Sequence, residues 1–428
     1  MLKRLCFCLF SAPLSKVRWT FLTFVALSLS VAGQDLRLTN YDAPMALYIN
    51  PMSLYNYNRY EGSRIDIDLT AVYPNERSKD HHNPKYQLIG DIYGAYGFAD
   101  KGFKYGGALT LSHRVSANAR RFWTLGLYGA HDLEQAASRR LCEYDMLSFA
   151  DNASYLSSRF VGVNGGSLLF TTRFNKLKLA TSFRLSWEDY RFDNNRLIYP
   201  YQNRDLKADV KRFEEVKVRI DRCPDFKHND LTLQLRGGLV HDAEQRAYFS
   251  SLLQYNADLG KTGLHLFGQA GYASAKAPYS RIFDLSGTGF SHYFFRHNFL
   301  TVAPNAFSAN TFAHICINYT TPEPLWNTSW SNPRPFAQAN AMIGWLHGED
   351  AGGYAVIDGL YLRAPNKGIL EPAVGIDGLI RWGVLDVGFG VAYKVCPASA
   401  SYRTPDPSQN FAFLLVFNFI YDRLIMNI

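Results

Sequence analysis

The chain has 428 residues, 15% of them aromatic, and a formal charge of +8. Its mean hydropathy is close to neutral at -0.17. The 27 Tyr and 30 Phe exceed what a cytosolic enzyme uses and suit two aromatic girdles at membrane interfaces. Lys3, Arg4, Lys16 and Arg18 all lie in the first 33 residues, which hold no acid. The remainder therefore carries only about +4, which excludes a basic stripe for nucleic acid.

Residues 1–33 read as a signal peptide. A basic stretch precedes the apolar run Trp19–Val31, and Ser30, Val31, Ala32 and Gly33 supply small residues for cleavage. An uncleaved anchor is the alternative, although the run is short for a span. No cysteine stands at the cleavage point, which argues against a lipoprotein. Residues 34–56 form a lead-in and 57–428 the main body.

Beyond residue 34 no apolar run approaches the ~20 residues that a spanning helix needs. What recurs is alternation. In Arg64–Tyr73, Ile65, Ile67, Leu69, Ala71 and Tyr73 oppose Asp66, Asp68 and Thr70. In Leu177–Glu188, Leu177, Leu179, Phe183, Leu185 and Trp187 oppose Lys178, Ser182, Arg184, Ser186 and Glu188. Leu231, Leu233, Leu235 and Leu239 oppose Thr232, Gln234 and Arg236. Similar runs start near residues 87, 105, 122, 167, 248, 263, 311, 336, 372, 383 and 411. A period of two over roughly 10 residues fits strands tilted across a bilayer, apolar side chains outward and polar ones in a lumen. A soluble sandwich alternates too, but the signal peptide and the aromatic content favour the membrane form.

The predicted fold is an all-β, transmembrane antiparallel β-barrel of about 14–16 strands in the bacterial cell outer membrane. Short turns are expected at Ala99–Gly102 and Leu259–Gly263. Long polar loops are expected at Pro74–Lys85, Asp132–Phe160, Tyr190–Asp230 and Ser274–Arg296. Within the third, Asp205–Ile220 reads as a charged amphipathic helix on the rim. These strands do not alternate cleanly between short and long connections, so at least one is missing from the set.

Four stretches resemble the barrel region of a Bacteroidota outer-membrane family labelled carboxypeptidase-regulatory-like domain proteins. They are Tyr57–Leu69, Tyr93–Tyr105, Asn305–Phe312 and Glu371–Leu379. The first carries Asn58, Arg59, Glu61 and Gly62; the second carries Tyr96, Gly97, Phe98, Asp100 and Lys101. The resemblance runs from about residue 50 to the end and implies location and architecture. Many members have a small sandwich before the barrel, for which there is almost no chain here. The family barrel is a domain of unknown function, so no catalytic residue carries over.

Catalytic and phosphate-binding motifs are absent. Cys142, Cys223, Cys316 and Cys396 stand singly, without zinc spacing. A Cys142–Cys223 bridge between loops is conceivable in an oxidising envelope, but free or packed cysteines are the simpler reading. Adjacent His81 and His82 read as solvated rather than metal-bound, and His347, Glu349 and Asp350 as a charged loop tip. Ser291 and His292 are the one pair that a lipid hydrolase in the barrel wall could use, but on a strand they would face opposite ways. Tyr293, Phe294, Phe295 and Phe299, with Phe411, Phe413, Phe417, Phe419 and Tyr421, read as girdle and lipid-facing surface.

The remaining candidates are inward charges. Asp66, Asp68, Asp91, Lys178, Arg184, Glu188, Arg236 and His265 should line the lumen, where they shape a polar passage or merely pair and rigidify the wall. The expected role is envelope transport or surface assembly without covalent chemistry and without cofactor or metal. A lipid hydrolase or a structural barrel docking a second envelope protein are the alternatives. Expected partners are outer-membrane lipid and an envelope protein, not nucleic acid.

Overall fold

In a computed structural model of the chain, the described residues are 36–40, 42–49, 56–58, 61–75, 84–114, 121–135, 160–174, 177–192, 209–222, 229–242, 245–285, 299–303, 306–382, 385–404 and 406–419. The predicted signal peptide, His81, His82, Ser291, His292 and Tyr293–Phe295 lie outside them, as do Cys142 and Cys223.

Short pieces come first: β1 (Leu36–Arg37), β2 (Ala46–Ile49) and β3 (Asn56–Asn58). Long strands follow as β4 (Gly62–Tyr73), β5 (Tyr86–Gly97), β6 (Gly102–Arg114), β7 (Arg121–Gln135), β8 (Phe160–Phe174) and β9 (Leu179–Phe192). Next are β10 (Asp209–Arg222), β11 (Asn229–His241), β12 (Arg246–Asp258) and β13 (Leu264–Ala273). The tiny β14 (Phe283–Asp284) and β15 (Ser308–Ala309) interrupt a long connection before β16 (Thr311–Thr320) and β17 (Arg334–Trp345). A small hairpin, β18 (Tyr354–Ile357) and β19 (Leu360–Arg363), precedes β20 (Ile369–Trp382), β21 (Leu385–Tyr393) and β22 (Phe411–Phe419).

The main sheet holds 18 of these, and every ladder is antiparallel, between strands consecutive in the chain or separated only by the short β3, β14–β15 or β18–β19 pieces. β2 and β3 flank β4 one after the other and make a single crossing, while β1 only edges β2. That leaves 16 crossings, in line with the sequence. Among the described residues no ladder joins β22 to β1, β2 or β3, so the sheet is open at that seam.

Parity along the strands separates two faces. Ile65, Ile67, Ile92, Leu109, Leu127, Phe170, Phe183, Trp187, Ile315 and Val374 point outward and are exposed. Asp66, Lys104, Ser167, Glu188, Lys217, Gln234, His265, Gln269, Asn318 and Asn340 point inward and are buried. Apolar residues outside and polar residues inside invert a soluble protein, and strands from β4 onward in the main sheet, 9 to 15 residues long, reach or exceed the 9–11 residues that cross a bilayer. The chain is a transmembrane β-barrel, with backbone groups satisfied between strands along every ladder described.

Sequence reading erred most at 205–220. β10 replaces the expected helix and restores the alternation of strand ends; with β2 and β3 it supplies the missing crossings. Lys211, Phe213, Glu215 and Lys217 alternate inward, with Arg212, Glu214 and Val216 outward. Dense charge suggested a solvated helix, but a polar lumen gives inward charges partners that a lone sequence cannot display. The loop expected over 190–230 is correspondingly shorter, since β9 runs to Phe192 and β11 starts at Asn229.

The turn before β13 came out as expected. Gly263 has φ 69°, and a Cβ there would fall 1.8 Å from the Thr320 carbonyl oxygen, so only glycine fits. One end of the barrel carries this turn, the start of β2 at Ala46 and the end of β22 at Phe419; the other carries the connections 274–310, 346–368 and 394–410. We call them the short-turn and long-loop ends.

Candidate functional site

The long-loop end is filled from within. A polar external loop was expected over Ser274–Arg296, yet its Ala277, Tyr279, Ile282, Phe283 and Leu285 are buried, as are Phe299 and Phe307 further along the same connection. They join one apolar core with Val161, Tyr190, Phe213, Val240, Tyr248 and Leu252 from the inner wall and Leu360 and Leu362 from the hairpin. Phe299, expected to face lipid, is completely buried in this core. Wall residues from β8 to β20 thus meet through loop residues lying between them. The loop 394–410 is tied in at Tyr402, whose hydroxyl accepts from Lys367 N and donates to the Gly368 carbonyl, both at 3.1 Å. Burial pushes the Tyr402 hydroxyl up to about 12.

Three polar pins hold this plug. Arg281 is 2% exposed, donates to Glu215 at 2.6 Å and to the Tyr190 hydroxyl at 2.6 Å, and lies 4.7 Å over the Tyr190 ring. Tyr248 donates to the same carboxylate, and Tyr190 donates to Glu188 at 2.7 Å. Second, Asp358 at the hairpin turn takes Lys211 at 3.0 Å, Arg246 at 2.8 Å and the Tyr279 N–H at 2.7 Å. Third, buried Glu371 on β20 accepts from Leu300 N at 3.0 Å, Thr301 N at 2.7 Å and the Thr301 hydroxyl. Buried charges need such dense partnering to persist.

Asp358 carries a pH dependence. Burial pushes its carboxyl up, but Lys211, the Tyr279 N–H and Arg246 outweigh burial and hold it below the usual Asp range. A depressed carboxyl stabilises the folded state above its unfolded pKa of about 3.9 and loses that contribution as pH falls through the lower folded value. Hydrogen exchange across 354–363 is therefore expected to be slow at neutral pH and to accelerate, relative to the intrinsic rate, below about pH 4. Asp358→Asn should exchange fast already at neutral pH, with little further change in acid. Slow exchange in that variant would remove Asp358 as a pin.

A second polar network lines the β4–β7 wall. Arg64 grips Asp132 with two hydrogen bonds of 2.6 and 2.9 Å and also reaches Asp66 at 2.5 Å. Lys104 binds Glu61 at 2.7 Å and Asp100, and Tyr93 donates to Asp132 at 2.8 Å. Every member shown is paired, so the network rigidifies the wall and needs no ligand.

The sequence candidates are therefore spread rather than gathered. Asp66 belongs to the Arg64 network, and Arg184 pairs with Glu188 at 2.7 Å beside the Arg281 pin. Asp68 faces inward, half-buried, and Asp91 accepts from Thr70 at 2.6 Å. Arg236 sits opposite Lys217 and Ser250, and His265 is buried near the short-turn end. Lys178 is a correction: the strand begins at Leu179, and Lys178 is exposed in the turn with φ 48°. A left-handed turn position cannot continue the alternation that suggested it.

Arg281, Glu215, Asp358 and Glu371 escaped sequence reading because their partners are far away in the chain. One signal was present, the apolar Ile282, Phe283 and Leu285 inside a supposedly polar loop. Glu349 and Asp350 serve the local turn, Glu349 accepting from Leu346 N at 2.8 Å and Asp350 from Gly352 N at 2.8 Å, whereas His347 reaches across, its N–H donating to Asn310 at 3.2 Å and its Nε2 lying 3.2 Å from the Ala273 carbonyl. Cys316 and Cys396 form no disulfide. Among the described residues no cluster of potential metal ligands occurs.

No family model matches the chain, and a search of curated proteins finds no match. The Bacteroidota resemblance therefore stands on its motifs alone. Among solved structures, the chain is similar to CdiB from Acinetobacter baumannii at 10% identity, covering 88% of this chain and 60% of that one, with a TM-score of 0.41. CdiB from Escherichia coli gives 10% identity, 87% and 62% coverage and a TM-score of 0.41. BamA from Haemophilus ducreyi, lacking POTRA domains 1–3, gives 9% identity, 88% and 70% coverage and a TM-score of 0.47. The chain thus spans about three-fifths of the CdiB structures. These likenesses carry no function across, and the barrel's role has to come from its own interior.

Proposed function

We propose that this protein is a bacterial outer-membrane barrel that acts in envelope transport or surface assembly without covalent chemistry, and that its own loops hold it shut at the long-loop end. One observation carries this reading. The described loop residues 274–285, 299–303 and 306–310, together with 346–368, fill the interior between the walls and are pinned there by buried charges. An open diffusion pore would line that space with solvated polar groups, whereas here it is a packed apolar core. Outer-membrane lipid is the first partner, along the apolar belt. Whatever passes or docks requires the plug to yield, which gives a second envelope protein a physical role.

The test is conductance in planar bilayers. The purified, folded protein is expected to stay closed or pass only rare, small steps. Removing the plug by replacing 277–307 with a short Gly/Ser linker should give steady channels. A constant open channel in the unaltered protein would sink the proposal, and so would failure of the folded deletion barrel to conduct.

A further inference from the structure

With the plug at the long-loop end, the way into the lumen is from the short-turn end, where a cavity of about 740 Å³ opens between the ends of β12, β13, β16, β17, β20 and β21. Further in, three inward-pointing cations from adjacent strands stand in one row. Lys217 on β10 lies directly opposite Arg184 on β9 and directly opposite Arg236 on β11. We propose that this row binds a solute carrying two or more phosphate or carboxylate groups.

Like charges directly opposite in a ladder repel, their Cβ atoms being only about 4.5–5.5 Å apart, so the row lowers stability unless negative charge compensates it. The surrounding acids are too few. With Arg219 and the plug residue Arg281 the cations number five, against the three carboxylates of Glu188, Glu215 and Asp221. Each of those three already serves other groups. Glu188 takes Arg184 and the Tyr190 hydroxyl, both at 2.7 Å. Glu215 takes Arg281 at 2.6 Å, and Asp221 takes Arg219 at 2.8 Å and the Thr232 hydroxyl at 2.7 Å. Reaching further, to Arg173 on β8 and Asp230 on β11, adds one charge of each sign. The neighbouring Asp358 pin is balanced, Lys211 and Arg246 standing against Asp242 and Asp358. The excess of positive charge among the described residues here therefore belongs to the row.

The row is also reachable and held in shape. The Arg184 side chain points inward yet is 33% exposed, and Arg236 is half-buried, so both guanidinium groups meet the lumen. With its amide turned to satisfy both ends, Gln234 accepts from Arg236 Nε at 3.1 Å. A guanidinium positioned by a neutral amide keeps its charge for a ligand, and its fork suits the paired oxygens of a phosphate or carboxylate. Neighbouring strands lie about 4.7–4.9 Å apart, so the backbones carrying Arg184 and Arg236 are separated by roughly 10 Å. That span and the surplus charge suit an anion with two acidic groups better than a lone monovalent ion. On β10 the next inward position is Glu215, which pins Arg281, so the occupant sits against the floor of the plug.

This inference deepens the transport reading by naming a class of solute, and it rests on that reading for the inward face being a lumen. The test uses the full chain folded in an uncharged detergent. Heat-modifiable gel mobility checks the barrel first, so failure of the barrel reading is told apart from a folded barrel that binds nothing. In calorimetric titration at low ionic strength, pyrophosphate or citrate should bind, and comparing the two separates phosphate from carboxylate recognition. Acetate should bind at least about tenfold more weakly, since it can reward only one cation of the row. Lys217→Gln should weaken binding of the preferred anion about tenfold, as expected for one lost bond between charged groups. Arg236→Gln should do the same and keeps the test intact if the Lys217 variant does not fold. Arg334→Gln, which removes a positive charge at the short-turn end, should bind as the parent does. Absence of binding of both anions to the folded barrel, undiminished binding by the folded row variants, an equal loss in Arg334→Gln, or acetate binding as tightly would each overturn the proposal.

Discussion

Arg281→Ala is expected to convert a closed barrel into a leaky one and to lower its stability by about 3–5 kcal/mol, the usual cost of stranding half of a buried ion pair. Glu215 would keep only the Tyr248 hydroxyl among the bonds it makes within the Arg281 pin, in a site where its side chain is 6% exposed. Tyr190 would lose both the guanidinium donor and the cation over its ring. Loop 274–310 would then be held by Glu371 and Asp358 alone among the three pins. Conductance steps in planar bilayers and a fall in the unfolding midpoint in denaturant are the measurements. The double variant Glu215→Met with Arg281→Met separates charge from packing. It should regain much of the lost stability, since apolar replacement of a buried pair is often neutral. A single Arg281→Ala variant as stable and as silent as the parent would show that the plug is held by its apolar core without this pin.

Leu127→Arg is expected to block insertion or destabilise the folded barrel by about 2–4 kcal/mol, the cost measured for Arg on a lipid-facing surface near the bilayer midplane. Leu127 is central in β7, points outward and is 57% exposed. Exposed on a soluble protein, it would accept arginine for nearly nothing. Ser112→Lys, on the neighbouring strand but turned toward the interior, should be tolerated, because lumen water hydrates the new charge. Folding into lipid vesicles, read from heat-modifiable mobility and urea titration, measures both. Equal tolerance of the two variants would contradict the membrane orientation of the two faces.

Much of the barrel was legible in the chain because strand faces alternate with the shortest period available. Arg64–Tyr73 and Leu231–Leu239 each announce their inward and outward sets, and both faces came out as read. β10 was hidden because its charge density mimics a solvated helix: Lys211, Glu215 and Lys217 look exposed until opposing groups are known. Phe299 was misassigned for the opposite reason, since an aromatic residue suits a lipid girdle and a plug core equally well by composition. The pins were out of reach altogether, as Arg281 and Glu215 are 66 residues apart and Leu300 and Glu371 are 71 apart.

By itself, then, the order of residues determined strand length, the identity of the lipid-facing side and the Gly263 turn. Each follows from interactions within a few positions or from transfer of one face into a given solvent. Only the tertiary structure decided that long loops return into the lumen, that charges from separate strands meet there, and that one end is packed while the other stays hollow. Those outcomes depend on curling the sheet, which brings side chains distant in the chain within hydrogen-bonding reach and removes the water that would otherwise satisfy them.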